Sequence, residues 1–324
     1  MDNFVIIDAH VHLATSMAWE EKRVVIPGRR HRDRWATPET ALSFMDWEGI
    51  SAAVVMNLPK LPPRELMMES ERKNSSKLGP VETEQIKQLT NQVGQSIREI
   101  NQWACKIGQK YPRLIQFICI APDLGDSEDM IKELVLRVKQ GAKGVKLHPS
   151  IFRIYPADKR LWPLYNKCEE LGVPILADSA PFRGLKTLIG YRSRPCENSI
   201  QYGEPDNYSK VLGSFPHLTL ILAHLGSAWW DERVELALKY PNVYFDTSQG
   251  FSAPDQIPNH PHRGLAEEDA VRIMRKIGIE RIMFGSDGPS LDRMPQLEQI
   301  LRLPLNNQEK QMILSGNAKR ILHL

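Results

Sequence analysis

Cysteine is scarce in this chain. The 324 residues hold four, Cys105, Cys119, Cys168 and Cys196, with no C-x-x-C pair among them, which excludes a disulfide framework or a zinc ribbon and reads as reduced thiols of a cytoplasmic protein. No apolar run approaches the roughly 18 residues of a membrane span, and the N-terminus lacks the basic and apolar regions of a signal peptide. Charge of one sign is not in excess. With 42 basic against 39 acidic residues and a net charge of +3, there is no electrostatic case for nucleic acid or an anionic membrane as partner. Short repeats, low-complexity tracts and an interdomain linker are also missing. What remains is a soluble chain with 42% hydrophobic residues, ample for a core, and the expected partner is a small molecule.

Short apolar, β-branched runs recur along the chain: FVIID (4–8), SAAVVMN (51–57), LIQFICI (114–120), KGVKLH (143–148), VPILAD (173–178), LTLILAH (218–224), NVYFDT (242–247) and RIMFGSD (281–287). Segments with helical spacing lie between them. Thr37-Pro38 and Asp126-Ser127 mark helix starts, and Gly141, Gly172 and Gly278 mark ends. Eight strands alternating with helices predict a single (β/α)8 barrel over 1–324. An open dinucleotide-binding sheet would carry a glycine-rich turn after its first strand, where this chain has DAHVHL. The stretch 58–112 exceeds one βα unit and reads as an insertion after strand 2, with a helix from Glu82 to Lys110.

In such barrels the site gathers at the C-terminal ends of the strands. Strand alternation predicts that Asp8, His10 and His12 share one face, opposite Ile7, Ala9 and Val11. Two imidazoles roughly 7 Å apart along a strand can converge on one ion beyond its end. Lys146 and His148 end strand 4, Asp178 strand 5, His224 strand 6 and Asp287 strand 8. Burying so many unpaired ionisable groups is expensive unless they have a task.

In order, DAHVH, GVKLHP, ILAHLG, NVYFDTS, FGSDGP and NAKRILHL resemble the amidohydrolase superfamily in its amidohydrolase-related (family 2) branch. That branch holds metal-dependent hydrolases, aminocarboxymuconate-semialdehyde-decarboxylase-like enzymes, hydratases and lactonases. The resemblance implies a TIM-like barrel with His10, His12 and Asp287 as metal ligands, and His224 as the residue that activates water or polarises the substrate. It implies one divalent ion, zinc first and manganese second, and a homodimer. One position departs: where the family has a strand-5 histidine ligand, PILADSA offers Asp178. Asp178 can ligate the ion in its place, favouring a harder metal, or pair with Lys146 or His148. His148 can supply the missing nitrogen. Lys146, if carboxylated, can bridge two metals.

Metal and residues together predict a metal-dependent hydrolase that attacks an amide, lactone or ester of a small anionic compound through a metal-activated water. Asp287 would take the water's proton and His224 would stabilise the oxyanion or protonate the leaving group. Decarboxylation or hydration on the same metal is the alternative; a barrel that binds a small molecule without catalysis is the alternative from another class. Asp8 can orient an imidazole from behind. Substrate carboxylates would be held by guanidinium forks, with Arg153 and Arg183 first, then Lys186, Arg192, Arg194, Arg263 and Arg293; Trp229 and Trp230 can wall the pocket, and His260 and His262 sit in a loop over it.

Overall fold

The β-branched runs named above pair side by side as strands. In the computed structural model, residues 4–13, 37–59, 80–180, 201–226, 229–250, 265–289 and 292–324 are described, with side chains from residue 83 in the third segment. Eight parallel strands follow one another in chain order: β1 Ile7–Val11, β2 Ala52–Met56, β3 Leu114–Cys119, β4 Gly144–Leu147, β5 Ile175–Ala177, β6 Leu220–Leu222, β7 Val243–Asp246 and β8 Ile282–Met283. The last returns to the first. A parallel bridge joins Val11 to Gly288, and Ala9 N–H donates to the Phe284 carbonyl at 2.7 Å. This is a (β/α)8 barrel.

Helices cover the strands: α1 Pro38–Glu48, α2 Pro80–Lys110, α3 Ser127–Lys139, α4 Trp162–Leu171, α5 Pro205–Ser214, α6 Trp230–Lys239, α7 Glu267–Ile277, α8 Arg293–Arg302, α9 Asn307–Gln311 and α10 Asn317–Leu322. Thr37 and Asp126, at the two helix starts marked in the sequence, each cap their helix through a reciprocal capping box. The expected helix of the insertion is α2, 31 residues long, while residues 60–79 ahead of it lie outside the described part. Among the described residues no helix is long and apolar enough to cross a membrane.

Two apolar layers follow from the alternation of each strand. Val145, Leu147, Ile175, Ala177, Leu220, Leu222, Val243 and Phe245 face the helices. Ile7, Ala9, Val54, Met56, Phe117, Leu176, Ile221 and Met283 fill the barrel, and Ala318, Ile321 and Leu322 of α10 close its lower end. Phe117 reaches across the floor: a Cβ on Gly144 would come within 2.3 Å of its ring, so β4 has room there for glycine alone.

β1 breaks the predicted alternation. Asp8 is level with Ala53 and Val11 with Val55, so three residue steps on β1 oppose two on β2. One extra residue is inserted, a β-bulge. Ile7 and Ala9 therefore point inward, Asp8 outward toward α8, and the bulge then turns His10 inward as well. The expectation that Asp8 shares a face with His10 and His12 is corrected by this bulge. β1 also starts later than FVIID suggested, so that His10 lies inside it.

Candidate metal centre

Polar side chains from six strand ends meet at the C-terminal mouth, most of them placed by their strand's inward register, His10 by the β1 bulge and His224 by its left-handed backbone. His10 and His12 come from β1, Lys146 and His148 from β4, Asp178 from β5, His224 from β6, Asp246 from β7 and Asp287 from the segment after β8. All are buried except His12, which is half-buried. β8 comes close to His10 because Gly285 lies there: a Cβ on it would stand 3.0 Å from His10 Cβ.

The structure brings together the three residues that the sequence resemblance named as ligands. The ligand atoms of His10, His12 and Asp287 lie within 4.8 Å of one another. Asp287 Oδ1 is 3.1 Å from His12 Nε2 and 3.8 Å from His10 Nε2. His12 Nδ1 stands 2.6 Å from the Met56 carbonyl oxygen. That oxygen can only accept, so the ring carries its proton on Nδ1 and turns the Nε2 lone pair to the mouth. Two nitrogens and a carboxylate oxygen converging in this way fit a zinc- or manganese-type ion. A second set, His10, His224 and Asp246, is equally compact, but there His10 Nδ1 and Asp246 Oδ2 are already joined at 2.9 Å.

Asp178 belongs to neither set but touches the second. Its Oδ2 lies 3.1 Å from His224 Nε2 and 3.4 Å from His148 Nε2, and its buried Oδ1 has no hydrogen-bond partner among the described residues. Lys146 Nζ is 3.3 Å from His10 Nε2, so the ammonium adjoins the donor set. His224 Nδ1 is 3.0 Å from the Ser248 carbonyl.

Charge is distributed unevenly over the mouth. Burial, aided by the Lys146 charge, lowers His10 to about 4, and burial lowers His148 to about 4. His224 goes the other way. Burial opposes its charge, but the Asp178 carboxylate and its hydrogen bond, with Asp246 and Asp287 behind, raise it to about 9. Burial would lift Asp287, yet the hydrogen bond and charge of His12, then His10 and His224, hold it below the usual carboxylate range. Asp178 is held down likewise, against burial, by His148, His224 and Lys146. Lys146 is lowered by burial.

Three residues at this site carried no assigned role in the sequence reading: Asp246, Ser248 and Gln249. Gln249 Nε2 donates to Asp287 Oδ2, and Ser248 Oγ donates to Asp246 Oδ1. Asp246 carried the same signal as its neighbours, a carboxylate at an inward position of a strand end in NVYFDT. Of six non-glycine residues with positive φ among the described residues, five lie in the segments after the strands at this end: Arg153 (50°), His224 (66°), Leu225 (46°), Gln249 (54°) and Asp287 (55°).

The substrate expectations fare unevenly. Arg153 ends the short turn Pro149–Phe152 after β4. Arg293 is no loop residue: it is fully buried, with Nε 2.7 Å from Asp8 and Nη1 2.5 Å from Glu48. Trp229 lies 5.8 Å from the Arg233 guanidinium, at the start of α6. Arg183, Lys186, Arg192, Arg194, His260, His262 and Arg263 lie outside the described residues.

The amidohydrolase family model, Amidohydro_2, matches residues 80–324. No curated protein matches the chain significantly. Among solved structures, a dihydroxybenzoic acid decarboxylase from Polaromonas sp. JS666, with bound manganese and the inhibitor 2-nitroresorcinol, superposes with a TM-score of 0.68 at 17% identity, over 99% of this chain and 97% of that one. The 2,6-dihydroxybenzoate decarboxylase from Rhizobium gives 0.67 at 16% identity, over 100% and 99%. A protein from Acinetobacter baumannii described as a probable 2-pyrone-4,6-dicarboxylic acid hydrolase, with citric acid bound, gives 0.59 at 17% identity, over 98% and 99%. At these identities the likeness concerns the fold.

Proposed function

The chain belongs to the amidohydrolase family, and from that premise we propose that it is a metal-dependent decarboxylase of small, hydroxylated organic acids. In this reading His10, His12 and Asp287 hold one divalent ion, zinc or manganese. Such an ion polarises the oxygens of a bound acid and neutralises charge that builds on them.

Gln249 carries the choice of reaction. Hydrolysis needs a base beside the donor set, and the natural one is the second oxygen of Asp287. That oxygen already accepts from the Gln249 amide, and a hydrogen bond to the charged form makes a carboxylate a weaker base. What the mouth offers in its place is an acid. His224 keeps a proton to about pH 9, and its Nε2–H faces Asp178 at 3.1 Å. Decarboxylation uses such a group: the C–C bond breaks, CO2 leaves, the electron pair stays on carbon, and His224 supplies the proton that carbon takes up. Asp178 holds the imidazolium charged until then. The likeness to two dihydroxybenzoate decarboxylases supports hydroxybenzoates as first substrates.

Hydrolysis is the second reading, favoured by the same His224, since an imidazolium also protonates a leaving alcohol or amine. The test is a panel of hydroxybenzoates and of lactone and ester acids offered to zinc- and manganese-loaded protein. CO2 release, with one deuterium on the product carbon when run in D2O, is the expected result. Ring opening of a lactone with no CO2 from any acid would replace the first reading by the second.

A further inference from the structure

Asp246 is fully buried, with its carboxylate against His10 Nδ1, the ring nitrogen turned away from Lys146. We propose that Asp246, braced by Ser248, is a positioning residue that fixes which ring nitrogen of His10 carries the proton, and so decides whether the donor set can take up a divalent ion. The second half of this rests on the reading of His10 as a ligand.

The two oxygens of Asp246 have separate duties. Oδ1 accepts from the backbone N–H of Ser248 at 2.9 Å, from that of His224 at 3.2 Å, and from the Ser248 hydroxyl. Oδ2 faces His10 Nδ1 at 2.9 Å. Ser248 Oγ has spent its hydrogen on Asp246, so it can only accept from His10 Nδ1 at 3.1 Å and His224 Nδ1 at 3.0 Å. Every polar atom against His10 Nδ1 is therefore an acceptor. The proton sits on Nδ1, and Nε2 presents its lone pair to the mouth. Lys146 gives independent support: an ammonium can only donate, and it stands 3.3 Å from that Nε2.

Asparagine at 246 tests this because it changes one atom. Three donors converge on Oδ1, two of them backbone amides that cannot turn away, so the carboxamide must keep its oxygen there. Its NH2 then replaces Oδ2 and meets His10 Nδ1 donor to donor. The ring escapes by moving its proton to Nε2, which removes the lone pair that would bind the ion. Loss of such an outer partner lowers metal affinity by about 10- to 100-fold.

The experiment reads tautomer and affinity separately. Two-bond 15N–1H correlation spectra of the chelator-treated full chain resolve the tautomers of its nine histidines, with the His10 signal assigned by its loss in His10→Ala. The wild type should show His10 with Nδ1–H, and Asp246→Asn should show Nε2–H. Zinc titration should place Asp246→Asn 10- to 100-fold weaker than wild type. Nε2–H in the wild type, or an unchanged tautomer in the variant, would overturn the proposal; the wild-type spectrum alone decides if the variant does not fold. A tautomer that switches as expected in a protein that takes up no zinc or manganese would uphold the positioning role and overturn the metal reading instead.

Discussion

An imidazole in water loses its proton near pH 6.5, and His224 keeps it to about pH 9. Burial works against the charge there, so the whole gain comes from the carboxylates, Asp178 first. The sign follows from the direction of the shift. A folded pKa above the unfolded one contributes stability that is complete below about pH 6.5 and is lost as pH rises through about 9. If His224 supplies the proton, turnover falls along an upper, alkaline limb as the imidazolium loses it, at a pH that the charge of a bound ion draws down. Asp178→Asn removes the first-ranked carboxylate and lets burial dominate, moving that limb down to the ordinary imidazole range or below it. At pH 7.5 about a tenth or less of the imidazole would then hold its proton, a loss of about tenfold in kcat. A pH–rate profile measures this. An upper limb unmoved by the substitution would assign the proton to another group.

The β1 bulge shows what an element adds to its residues. Asp8 Oδ1 accepts from His10 N–H at 3.2 Å and from Ser286 N–H at 3.0 Å, and its Oδ2 accepts from the Ser286 hydroxyl at 2.6 Å and from Arg293 Nε at 2.7 Å. Its carboxylate ties the bulge to the segment that carries Asp287, with Arg293 and Glu48 anchoring both to α8 and α1. Asp8→Ala leaves a buried guanidinium with one carboxylate in place of two and should cost about 3–5 kcal/mol. Urea denaturation would register it, and a midpoint unchanged from wild type would reduce Asp8 to a bystander. The eight strands were legible because β-branched runs with turn residues between them leave few alternatives, and the inward parity of Lys146 and Asp178 followed from simple alternation. His224, out of phase with the inward Ile221 and Ala223, is instead turned to the mouth by its left-handed backbone. The bulge was not legible. IIDAHVHL alternates perfectly on paper, and the extra residue is imposed by pairing with β2 and by a carboxylate that needs Arg293, 285 positions away. Asp246 carries the strand-end signal in NVYFDT, but its pairing was not legible: its partner His10 lies 236 positions off, and no local spacing marks the pair.

At the scale of the molecule, the eight strands follow in the order of a barrel, and two buried apolar layers line them. Cys119 and Cys168 are fully buried and Cys105 nearly so. Burial pushes all three thiols up, away from the reactive thiolate. They should resist a thiol reagent at pH 8 until the barrel opens, with labelling at these positions following denaturation as one event. Mass spectrometry of pulse-labelled protein reads this directly. Labelling of Cys119 or Cys168 within minutes in native buffer would mean that the barrel breathes far more than its packing implies. Cys196 lies outside the described residues.

The left-handed residues at the mouth bear on how this protein can be bred for heat resistance. Histidine and aspartate tolerate positive φ better than most side chains, so His224 and Asp287 leave a selection little to gain. Arg153, Leu225 and Gln249 do not share that tolerance, and each holds strain of order 1–3 kcal/mol. Leu225, however, is buried in the core, where losing its side chain would cost more than the strain. Random libraries selected by heat challenge should therefore accumulate glycine or asparagine at Arg153 and Gln249. Lineages that accept glycine at Gln249 would lose the amide that steadies Asp287. Hardier descendants of this barrel should be slower ones, and the trade should be visible at a single codon.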